Sequence, residues 1–76
     1  MAITGQQVKA ARLLLGWTQD RLAVETRVSP TAISNFETAR RRPSVLIVST
    51  LRHTLEAGGV EFTNGDEPGV KFRKSK

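Results

Sequence analysis

Residues 29–42 set out hydrogen-bonding groups of two kinds. Thr31, Ser34 and Asn35 are small and polar and recur at helical spacing, and Arg40, Arg41 and Arg42 follow directly. Short side chains of the first kind reach the edges of stacked base pairs in a major groove: Asn offers a bidentate pair to adenine, and Thr sets a methyl group against that of thymine. Guanidinium groups present charge and a fork of donors that matches phosphate oxygens. This is the chemistry of recognition, with no bond made or broken. A solvated helix face followed by a solvated loop uses the same residue types, so the flanking residues carry the weight.

Those flanks read as two short helices joined by a tight turn over residues 18–37, TQDRLAVETRVSPTAISNFE. Thr18 has the side chain of an N-cap. Trp17 before it is placed as a hydrophobic staple against Leu22. Leu22, Ala23 and Thr26 give this helix one inward face. Ser29 followed by Pro30 starts the next helix, with a hydroxyl at the cap and proline where its missing N–H does no harm. Ile33, Phe36 and Glu37 then point inward, and Thr31, Ser34 and Asn35 point outward. The helix is predicted over 30–38, and its outer face holds no acid to repel phosphates.

Upstream, Thr4-Gly5-Gln6-Gln7 has capping-box form. The first helix should run to about Leu15 with Val8, Ala11 and Leu15 as its inner stripe, and stop at Gly16, which accepts the left-handed conformation. Arg12 lies next to that stripe. Paired with Glu37 it makes a partly buried ion pair locking the first helix to the end of the third, a structural role rather than a functional one. Downstream, Ser44 caps a fourth helix, VLIVSTLRHTLEA, ending at Gly58-Gly59, with Val45, Val48, Leu51 and Leu55 as its core stripe. Leu46 and Ile47 lie off the stripe, available to a partner subunit or to the local core.

From Val60 the pattern alternates, passes through a turn-rich run and alternates again, predicting a β-hairpin over 60–73. Val60, Phe62, Val70 and Phe72 would share one face. A lone hairpin is marginal in water, so it must pack on the helices or pair with another copy; a dimerisation role is favoured over mere covering of the bundle. Lys74-Ser75-Lys76 reads as a frayed tail.

At 76 residues the chain is one domain, 1–76, with a helical bundle over 4–58, and its small core makes oligomerisation a reasonable expectation. Twelve Lys and Arg against seven Asp and Glu leave a net charge of +5, which suits a polyanionic partner, nucleic acid first. There is no cysteine, and His53 is the sole histidine, so neither a thiolate metal site nor a nucleophile with an evident base is present. No metal, cofactor or enzyme is expected. No apolar run approaches a membrane span, and the opening MAITGQQ lacks signal-peptide form, so a cytoplasmic, nucleoid-associated protein is expected.

The runs LLGWTQDRLA, VSPTAIS and FETARRRPS resemble the lambdoid-phage repressor and Cro family, often called the XRE family, over roughly residues 8–55. The resemblance implies a mainly α, four-helix Cro/repressor-like helix-turn-helix bundle, here with a C-terminal β-hairpin, that binds operator DNA as a dimer. It assigns Gln19 to a phosphate. It gives base reading to Pro30, Thr31, Ser34 and Asn35, with Ser29 at the cap counted among the contact residues. It also pairs Arg12 with Glu37. Two positions depart from the family pattern: Arg27 stands where Gly is usual in the turn, and Ala39 where Gly is usual after the third helix. The function expected is a transcriptional regulator, repressor or autoregulator, binding a pseudo-palindromic operator as a homodimer. The alternative is an antitoxin or anti-activator whose principal partner is another protein.

Overall fold

A computed structural model describes residues 3–40, 44–63 and 69–73. The order of elements is α1 (Gly5–Leu14), α2 (Gln19–Thr26), α3 (Pro30–Glu37), α4 (Val45–Ala57), β1 (Val60–Thr63) and β2 (Gly69–Phe72). This is the mainly α bundle with a terminal hairpin that the sequence predicts. Arg41, Arg42, the hairpin loop 64–68 and the Lys74-Ser75-Lys76 tail lie outside the described residues.

Each helix begins on a hydroxyl. Thr4, Thr18, Ser29 and Ser44 each accept from the backbone N–H three residues on, at 3.1, 2.9, 3.1 and 3.2 Å. These bonds satisfy donors that the first turn leaves without partners. At Thr4 the capping box is complete, because Gln7 Oε1 accepts from the Thr4 N–H at 2.8 Å. α1 ends in a Schellman motif: Trp17 N bonds Arg12 O and Gly16 N bonds Leu13 O, with Gly16 at φ 72°.

The core gathers Val8 and Ala11 of α1, Leu22 and Ala23 of α2, Ile33 and Phe36 of α3, Leu51 and Leu55 of α4, Val60 and Phe62 of β1, and Ile3 ahead of the first helix. Trp17 and Leu15 pack on its rim. One expectation fails. Val45 is 86% exposed, and the α4 stripe is Ile47, Val48, Leu51 and Leu55. Val45 sits about 120° around the helix from Leu51, whereas Ile47 is within about 40° of it. Ile47 therefore completes the local core, and Leu46 stays exposed with Val45.

One close approach fixes how α1 meets α3. A Cβ on Gly5 would collide with the Phe36 carbonyl, so the first turn of α1 lies directly on the end of α3. Only glycine permits this spacing without a backbone shift.

The hairpin pairs β1 with β2 antiparallel, in the register Val60↔Phe72, Glu61↔Lys71, Phe62↔Val70 and Thr63↔Gly69. Val60, Phe62, Val70 and Phe72 thus share a face. Val60 and Phe62 are buried in this chain's own core, Val70 packs against it, and Phe72 is 57% exposed. Gln7 fastens the hairpin: its Nε2 donates to Thr63 O at 3.1 Å and to Gly69 O at 3.0 Å. The buried amide of Gln7 thereby uses both donors, and its oxygen is taken by the α1 cap.

Candidate nucleic-acid interface

α2 and α3 pack through Leu22, Ala23 and Thr26 on one side and Ile33, Phe36 and Glu37 on the other, all buried. The turn between them rests on Arg27, in the left-handed region at φ 60°, ψ 25°. Its N–H bonds Ala23 O at 2.8 Å. Thr26 braces the same turn, donating to Leu22 O at 2.7 Å and accepting from Val28 N at 3.2 Å. Val28 tucks against the core, and Ser29 and Pro30 then launch α3. The position that favours glycine keeps its geometry here with an arginine whose side chain is exposed.

α3 turns outward the residues singled out for recognition. Ser29, Pro30 and Thr31 are exposed at its start, and Ser34 and Asn35 are half-exposed one turn on. The acid of this helix, Glu37, is buried. The helix closes in a second Schellman motif. Arg40 N bonds Asn35 O at 2.8 Å, Ala39 N bonds Phe36 O at 3.1 Å, and Ala39 lies at φ 59°. This motif sets Arg40 beside the Asn35 end of the outer face, with its side chain in solvent. Arg41 and Arg42 lie outside the described residues.

Beneath the face, Arg12 and Glu37 meet in a bidentate pair: Nε to Oε2 at 2.9 Å and Nη2 to Oε1 at 3.1 Å. Their side chains are 10% and 2% exposed. Arg12 Nη1 also donates to Trp17 O at 2.9 Å, just before the α2 cap. The guanidinium of α1 therefore grips the start of α2 and the end of α3 at once. Gln19, first residue of α2, joins this network by donating to Glu37 Oε1 at 3.0 Å. Sequence reasoning missed that bond. Arg21 lies 4.6 Å over the Trp17 ring and pairs with Glu25 at 3.0 Å, so its charge is used locally.

No group of three His, Cys, Asp or Glu side chains able to hold a metal occurs among the described residues. None of the described helices is long and apolar enough to cross a membrane. His53 is exposed on α4.

Two helices crossed over a short turn, the second presenting small polar groups from a rigid frame, define a helix-turn-helix DNA-binding domain. The family model described as helix-turn-helix matches residues 8–59, most of the chain. The protein belongs to that family, the XRE, Cro/repressor-like group of DNA-binding transcription regulators. It is a family of regulatory domains, not of enzymes. No curated protein matches the chain.

Proposed function

We propose that the protein is a repressor or autoregulator that binds a pseudo-palindromic operator as a homodimer. α3 enters the major groove, with Thr31, Ser34 and Asn35 meeting base edges and Ser29 and Pro30 at the groove wall. Gln19 and Arg40, with Arg41 and Arg42, take phosphates. The observation that carries this reading is the outer face of α3: its uncharged polar groups lie between a capped N-terminus and Arg40, while Glu37 is turned inward onto Arg12. Such a protein works in the cytoplasm, on the nucleoid.

The hairpin supports the dimer. The Arg73 N–H bonds Gly59 O at 2.8 Å, so 59/73, 61/71 and 63/69 are the hydrogen-bonded pairs. The backbone groups of Val70 and Phe72 then point away from β1, forming an edge to which a strand of a second copy can add. Phe72 is exposed beside that edge. Exposed Val45 and Leu46 on α4 offer a second apolar contact.

Selection of bound duplexes from random DNA, followed by footprinting, tests the reading. The expected product is a two-fold symmetric site whose halves lie about 34 Å apart, one helical turn. On that site Asn35→Ala should cost about 1–3 kcal/mol and relax the preference at one base pair in each half. Enrichment of no sequence would remove operator binding and leave a protein-binding antitoxin or anti-activator.

A further inference from the structure

Glu37 has four lone-pair positions, and the bonds above fill three of them: two from Arg12 and one from Gln19. A carboxylate accepts and does not donate. Next to it the Gln19 amide has one workable orientation, nitrogen inward. One Nε2 hydrogen is spent on Glu37, which leaves the second for another acceptor, and Gln19 itself is half-exposed. A phosphate oxygen makes the same demand as the carboxylate, for a donor. An amide rotated the other way would show the phosphate a carbonyl oxygen.

We infer that Glu37 is a positioning residue for the DNA backbone: it holds the Gln19 amide so that its second N–H serves a phosphate. Arg12, bound to both carboxylate oxygens, cancels the charge that would otherwise repel that phosphate. The ion pair thereby has a functional task beyond joining α1 to α3. This inference rests on reading Gln19 as a phosphate contact.

The test is a double-mutant cycle on the duplex selected above. The paired variant Arg12→Met, Glu37→Met keeps the volume of a buried ion pair without leaving a lone charge, a replacement that is often neutral or stabilising. Gln19→Ala should weaken binding about tenfold in the native protein, the value of one hydrogen bond to a charged group. It should leave the salt slope unchanged, because a neutral amide releases no counterion. The methionine pair should lose a similar factor, and Gln19→Ala should then add less than about twofold. Equal, additive losses in the two backgrounds overturn this inference alone. A native protein with no preferred duplex overturns the reading beneath it. A measurement on the unmodified protein serves if the paired variant does not fold. In NMR spectra the two Gln19 side-chain protons, inequivalent in any amide, should respond unequally to DNA, which should shift one and spare the other. Two protons that DNA shifts alike, or that DNA leaves unmoved, overturn the inference.

Discussion

The first helix holds the molecule together at two places, and by unlike chemistry. Near its end, Arg12 grips the helix-turn-helix with a buried charge matched to Glu37. In its first turn, Gln7 grips the hairpin with a neutral amide donating to two strand carbonyls. The charged attachment lies inside the segment that matches the family, 8–59; the neutral one, and the hairpin it fastens, lie outside it. The hairpin thus has a polar anchor on α1 beside the apolar one that Val60 and Phe62 make in the common core. A buried charge is unforgiving of error, because losing one partner strands the other. A neutral amide exacts less when removed. The helix-turn-helix is held by the unforgiving kind and the hairpin by the tolerant kind.

The comparison breaks most sharply at the ion pair. Arg12→Ala or Glu37→Ala should each destabilise the fold by about 3–5 kcal/mol, a large part of the stability of a small domain. Urea titration followed by far-ultraviolet circular dichroism measures it. A loss below about 1 kcal/mol would mean that water reaches the pair and that the two attachments do not differ in kind.

At the other attachment, Gln7→Leu keeps the bulk of the side chain and removes three hydrogen bonds. The expected cost is about 1–3 kcal/mol, confined to the hairpin and the first turn. Amide exchange should quicken at residues 60–63 and 69–73 while α2 and α3 keep their protection. Uniform quickening through all helices would show the hairpin to be part of one cooperative unit with the bundle.

How much of this was legible follows from distance along the chain. Thr4, Thr18, Ser29 and Ser44 announce their helices because a cap is a contact over three residues. The hairpin face was legible because alternation is local, although its use by this chain's own core at Val60 and Phe62 was not. Val45 to Val48 is an unbroken apolar run, and such a run does not fix a helical phase, so the stripe on α4 was set wrongly at Val45. Gln7 was visible as a cap partner, but its strand acceptors lie 56 and 62 residues away. One signal was there to use: Gln7 precedes Ala11 by one turn on the inner side, and its two N–H donors had no local acceptor. The Gln19–Glu37 bond spans 18 residues and joins two positions read separately, one as a phosphate contact and one as an ion-pair partner.

The smallest expected effects separate the two left-handed turns that flank α3. Arg27 and Ala39 both hold positive φ without being glycine, and each such residue stores about 1–3 kcal/mol. Replacing either by glycine releases that strain and costs about 0.4–1 kcal/mol through a freer unfolded chain. Arg27→Gly and Ala39→Gly should therefore each stabilise by roughly 1 kcal/mol, raising the melting temperature by about 4–8 °C in a domain of this size. The two differ in what they delete. Ala39→Gly removes a methyl group and should leave DNA binding alone. Arg27→Gly removes an exposed guanidinium at the turn. If that group is only solvated, affinity and salt slope stay as they were; a slope lower by about one unit would make it a phosphate contact. A fall in stability at either position would show that neighbouring contacts, rather than the lost Cβ, decide the turn.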